Sequence, residues 1–141
     1  KRTDLDKVDV EQIHLEKRWV KTCRFQRLKG EWRLTQESIR DFTAAEPLDK
    51  FMDFYRRFVS DAAFQQRSVS NPLRYVTTDH DQWDAFKPQL PDGVITNIRY
   101  GQTYDNPDGM ILVKAGISNG LMDILDFRQK DGEWKLVSYE N

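Results

Sequence analysis

The chain has 141 residues, with 22 Lys and Arg against 23 Asp and Glu and a formal net charge of −1. That is long enough for one domain with its own core, and it lacks the basic surplus that drives nucleic-acid binding through counterion release. The single cysteine, Cys23, excludes an intrachain disulfide and a cysteine-based zinc site.

Lys1 to Glu11 is polar and is expected to fray at its outer end. From Ile13 apolar and polar residues alternate, which predicts one long strand, bulged near Arg18, with Cys23 as a small buried thiol within it. His14 sits alone in that run. The strand leads into Phe25 to Leu34, Phe-Gln-Arg-Leu-Lys-Gly-Glu-Trp-Arg-Leu, and a return strand ends near Ile39.

Thr43-Ala-Ala-Glu46 has capping-box spacing, and Pro47 suits a first helical turn. Leu48, Phe51, Met52, Tyr55, Phe58, Val59 and Ala62 then recur at intervals of three and four, which predicts a long amphipathic helix to about Arg67. Phe54 and Phe64 widen its apolar stripe. Asn71-Pro72 breaks the pattern and Leu73 to Thr78 reads as a short strand. Asp79 or Asp81 caps a minor helix carrying Trp83 and Phe86, ended by Pro88 and Pro91. Strands follow at Val94 to Tyr104, at Met110 to Ile117 and, after an Asn119-Gly120 turn, from Leu121 onward; Asp105 to Gly109 is a turn.

The last strand runs into Phe127 to Leu136, Phe-Arg-Gln-Lys-Asp-Gly-Glu-Trp-Lys-Leu, a close copy of the earlier stretch. Phe, Gly, Glu, Trp and Leu stay in register at an offset of 102 residues (Phe25 to Phe127). In each copy the pair Lys29-Gly30 or Asp131-Gly132 falls where the turn needs positive φ. Trp32 with Leu34, and Trp134 with Leu136, share a face and are expected to plug a core, while Glu31 and Glu133 face solvent. The element order gives an α+β fold in which a curved antiparallel sheet packs on one long helix and a minor helix.

That order resembles the nuclear transport factor 2-like fold, also called ketosteroid-isomerase-like or cystatin-like. Phe51-x-x-Phe54-x-x-x-Phe58-x-x-Asp61-x-x-Phe64-Gln65-x-Arg67 followed by Asn71-Pro72-Leu73 resembles a family of exported bacterial domains of unknown function with this fold. The resemblance covers Ala45 to Asn141. It implies an exported protein, periplasmic or at the cell surface, and no assigned activity. Residues 43–141 are the domain so defined. Residues 1–42 are either the remnant of a preceding repeat or extra strands of the same sheet.

The fold family implies a pocket between the concave face and the helices, where its enzymes place an acid. A proton-transferring carboxylate needs apolar neighbours to raise its pKa. Asp123 shares strand parity with Leu121, Leu125 and Phe127, and Lys114 or Arg99 is its structural partner otherwise. Tyr100 and Tyr104 are placed on one face with Ile98 as donors to a ligand oxygen. Arg67 pairs with Asp61 or clamps a ligand carboxylate. His80, between Asp79 and Asp81, and the turn Asp105 to Gly109 lack metal-site geometry. No nucleophile, base and orienting group occur together. The expected function is therefore a non-enzymatic module that binds a small molecule or a protein partner, without cofactor or metal. The alternatives are an isomerase- or dehydratase-type enzyme using Asp123 with Tyr100 or Tyr104, and a homodimer joined through an open sheet edge that includes Trp19 to Arg33.

Overall fold

The computed structural model describes residues 6–42, 47–74, 90, 93–101, 104–115 and 122–140. The expected minor helix, except for Leu90, and with it His80, the Thr43 cap and the Asn119-Gly120 turn, lie outside the described residues.

Eight strands and two helices follow in the order β1 (Lys7–His14), β2 (Trp19–Leu28), β3 (Glu31–Asp41), α1 (Pro47–Ser60), α2 (Ala62–Arg67), β4 (Val69–Arg74), β5 (Val94–Tyr100), β6 (Gly109–Ala115), β7 (Met122–Lys130) and β8 (Glu133–Glu140). All strands share one open sheet ordered β3-β2-β1-β5-β6-β7-β8-β4. Every neighbouring pair is antiparallel except β4 and β8, which run parallel. The chain has the expected α+β architecture.

Two local expectations need correction. The run from Ile13 to Leu28 is a hairpin, not one bulged strand: Leu15 to Arg18 form a turn in which Arg18 takes φ of 58° and donates its N–H to the His14 carbonyl at 2.9 Å. Val8 to Glu11, in the polar terminus, pairs on both sides because β1 lies between β2 and β5, while the outer end expected to fray, 1–5, lies outside the described residues. The helix also stops early. Asp61 leaves the helical region, and its carboxylate accepts the Phe64 N–H at 3.0 Å, capping a second short helix.

The core lies where α1 crosses one face of the sheet. Phe51, Met52, Tyr55 and Phe58 are fully buried against Ile13, Val20, Ile95, Leu112, Leu125, Phe127 and Leu136. Phe127 receives the rings of Phe51 and Phe58 edge-on, with centroids at 5.5 and 5.3 Å. The helix is fixed to the β1–β2 turn by an ion pair between Arg18 and the buried Asp49, and by Arg56 donating to the Leu15 carbonyl.

Candidate functional site

A groove of about 590 Å³ opens between the two helices and the terminal hairpin. Positions 50 and 54 are one helical turn apart, so Lys50 and Phe54 of α1 share a face. The break at Asp61 swings α2 back until Phe64 meets Phe54 at 5.6 Å, and Arg67, one turn later, reaches the same wall. Ser68 ties that end to the sheet, its carbonyl accepting the Leu136 N–H at 2.7 Å. From the hairpin, Trp134 forms the floor and Glu133 and Lys135 the rim.

The wall is aromatic and its rim is mainly cationic. Arg57 lies 4.1 Å and Arg67 5.6 Å from the Phe64 ring centroid. Trp134 is 7% exposed and is held by Phe51 at 4.9 Å and by Phe54 at 6.4 Å. Its buried Nε1–H makes no hydrogen bond among the described residues, which leaves a donor that buried indoles ordinarily satisfy.

A second cavity of about 360 Å³ lies between the start of α1 and the N-terminal part of the sheet, lined by Glu11, Arg40, Leu48, Phe51, Arg99 and Tyr104 among others. Its polar side follows from register. Asp9 and Glu11 alternate with Val10 and lie opposite Arg99 and Asn97 of β5 and opposite Arg24 and Thr22 of β2. Arg24 holds Asp9 through two bonds of 3.0 and 3.3 Å, and the Tyr104 hydroxyl donates to the same carboxylate at 3.0 Å. Burial, reinforced by that bond to Asp9, pushes the Tyr104 phenol up to about 12. Its own hydrogen bonding to Asp9 raises the Arg24 guanidinium above its ordinary value. Arg99 donates to Glu11 at 3.2 Å and to the Asn106 and Gly109 carbonyls at 2.9 and 3.2 Å. Asn97, fully buried, donates to Glu11 at 2.8 Å and accepts the Ile111 N–H at 2.7 Å. These groups fasten the 104–109 loop to β1.

The four residues singled out from sequence fall in four places. Arg67 lines the larger groove and Tyr104 the smaller cavity. Tyr100 does not share a face with Tyr104. It pairs with Val8 and alternates with the inward Arg99, so it faces the side of the sheet away from α1, and Gly101, at φ of 55°, then turns the chain so that Tyr104 returns inward. Asp123 stands opposite Lys114 and accepts from the Tyr139 hydroxyl at 3.0 Å. It is separated from Asp9 and Tyr104 by four residues along the strands and three strand spacings, roughly 20 Å. Asp123 therefore does not meet Tyr104, and Tyr100 faces the other side of the sheet; the tyrosine at its carboxylate is Tyr139. Asp9 and Glu11 were missed because Lys1 to Glu11 reads as a polar terminus, although both keep the parity of Ile13, and Arg99, expected as a partner of Asp123, pairs with Glu11 instead. Among the described residues no three His, Cys, Asp or Glu side chains are grouped to hold a metal ion.

A long helix laid across a bent, open, mostly antiparallel sheet, with cavities where helix and sheet diverge, defines a nuclear transport factor 2-like protein. The crystal structure of an NTF2-like protein from Bacteroides fragilis NCTC 9343 is similar, with 38% sequence identity and a TM-score of 0.65 over 98% of this chain and 66% of that one. The chain belongs to the DUF4348 family, a domain of unknown function, which it matches over residues 1–141, the first hairpin included. It spans about two thirds of the length of the Bacteroides relative. No curated protein matches it. Among the described residues no helix is long and apolar enough to cross a membrane.

Proposed function

We propose that this protein is a non-enzymatic binding module whose larger groove takes a small amphiphilic anion. The reading is carried by one juxtaposition: Phe54, Phe64 and Trp134 form an apolar wall beside Lys50, Arg67 and Lys135. A flat apolar body would replace water against the rings, and a carboxylate or sulfonate would meet the guanidinium of Arg67. The unsatisfied Trp134 Nε1–H supplies a further donor. At the smaller cavity Glu11 is held by Arg99, and behind Tyr104 Asp9 is held by Arg24. Asp9 also accepts from the Tyr104 hydroxyl and Glu11 from Asn97, so both carboxylates are engaged within the sheet.

The test is a fluorescence titration with 8-anilinonaphthalene-1-sulfonate. Saturable binding is expected, with affinity reduced about ten-fold in Arg67→Ala/Lys135→Ala and competition by aromatic carboxylates. Equal affinity in the double variant, or the absence of saturable binding, would sink the proposal. The exported location implied by family resemblance is checked separately, by fractionating the native host.

A further inference from the structure

The repeated hairpin carries a bulge in each copy. The β7–β8 ladder shifts between Asp126 and Phe127, leaving Val137 as the extra residue, and the β2–β3 ladder shifts between Arg24 and Phe25, leaving Thr35. In the terminal copy β8 lies between β7 and β4, whereas β3 ends the sheet, with β2 on one side and, among the described residues, no strand on the other. Every residue of β3 is exposed. The strand runs for 11 residues and holds neither the proline nor the lysine that commonly blunts an edge.

The bulge gives this edge a symmetry that a regular strand lacks, because it sets two consecutive side chains on one face. Thr35 bonds Gln26 at 2.7 Å and Gln36 accepts from Arg24 at 3.4 Å, and both partners lie on the face of β2 that carries Val20 toward α1. Glu31 and Arg33 before the bulge, and Ser38 and Arg40 after it, share that inner face, while Trp32, Leu34, Glu37 and Ile39 lie on the outer one. From residue 31 to residue 40 the order of faces is therefore the same in both directions. A second β3 laid antiparallel along the free edge, on a two-fold axis between Thr35 and Gln36, meets side chains of its own face at every position, and no other axis matches as many residues.

The same axis also matches chemistry. It places Glu31, bonded to Arg33 of its own strand at 2.6 Å, opposite Arg40 of the second copy, and Trp32 opposite Ile39, both of them exposed in the single chain. The next axis along that sets inner residues against each other there would oppose Arg33 and Arg40. On the outer face Lys21 and Arg27 balance Glu37 and Asp41, with Lys21 3.1 Å from Glu37, so two copies meet without net repulsion. We propose that β3 is the seam of a two-fold dimer in which the sheets of two chains join edge to edge through residues 31–40. Pairing of backbone edges with alternate side chains setting the register is a recurrent mode of recognition.

Sedimentation equilibrium of the whole chain from micromolar to millimolar concentration tests this, and a monomer–dimer equilibrium is expected. Glu31→Arg and Arg40→Glu each set like charges opposite one another twice in the dimer, and each should weaken it about ten-fold or more. An equal mixture of the two variants should associate about as tightly as the parent, because every reversed charge then faces its complement across the seam. Ile39→Asp alters an exposed position and should also dissociate the dimer, which keeps the test independent of Arg40. Circular dichroism checks that all three variants keep the fold. A monomer at millimolar protein would overturn the proposal, as would a dimer that all three substitutions leave intact. A mixture no tighter than the separate charge variants would overturn it too, since the axis would then lie elsewhere.

Discussion

Trp32 and Trp134 hold the same position in a repeated hairpin, yet they point to opposite faces of one sheet, 43% and 7% exposed. Their local chemistry is alike, so surroundings alone should separate their energetic weight. Trp134→Ala removes a ring packed by Phe51 and Phe54 and should cost about 3–5 kcal/mol. Trp32→Ala, which gives up chiefly a stacked Arg27 at 5.1 Å, should cost less than about 1 kcal/mol. Urea denaturation of the isolated chain measures both. Comparable losses would mean that the outer face of the first hairpin is covered in the free protein.

That contrast also marks how far the sequence was readable. Periodicity located α1 and the repeat located both turns, because helix amphipathicity and the Gly30 and Gly132 positive-φ turns are local signals. Which way each copy faces is not local. It depends on the Thr35 and Val137 bulges and on β1 inserting between β2 and β5, and a one-residue shift reverses every side chain. The expected burial of Trp32 failed for that reason, as did the expected burial of Cys23, which is half-buried with its Sγ 3.7 Å from Glu37. The place of Arg67, in the last turn of a helix and lining the groove, was readable. The Asp9–Arg24–Tyr104 cluster was not, since its members come from β1, β2 and a loop.

Tyr104 should give the fold a pH dependence on the alkaline side. Its folded value of about 12 lies above the ordinary 10.0, so the folded state holds the phenolic proton more tightly than the unfolded one. The resulting stabilisation is complete below pH 10 and is lost as pH rises through about 12. With solvent screening it amounts to about 1 kcal/mol. Absorbance at 295 nm should show one tyrosine titrating last, absent in Tyr104→Phe, and the variant should lose less stability than the parent between pH 10 and 12.

The ion pair of Arg18 with Asp49 joins the β1–β2 turn to the first turn of α1, with the Asp49 side chain 8% and that of Arg18 33% exposed. Removing the buried partner leaves a cation against Phe42, 5.1 Å from its ring. Asp49→Ala should therefore destabilise by about 1–3 kcal/mol, and Arg18→Met/Asp49→Leu should recover much of the loss. Chemical denaturation of the two variants decides this. A double variant less stable than the single one would show that the pair contributes net attraction beyond neutralising a buried charge.

Asp61 sets the angle at which Phe64 and Arg67 reach the groove. Its carboxylate accepts the Phe64 N–H, the largest cause of a pKa held below the ordinary 3.8, and Arg57 at 3.7 Å adds to it. The cap's charge-dependent stabilisation is therefore complete above pH 3.8 and fades as pH falls through the lower folded value. Asp61→Asn keeps an acceptor at the cap and removes the titration, so its urea midpoint should converge on that of the parent as pH falls. Asp61→Ala removes the acceptor itself. In that variant α2 should fray and the affinity of the groove for 8-anilinonaphthalene-1-sulfonate should fall at neutral pH, while Asp61→Asn binds nearly as the parent does. Equal dye affinity in all three proteins would show that the geometry of the groove does not depend on the break between α1 and α2.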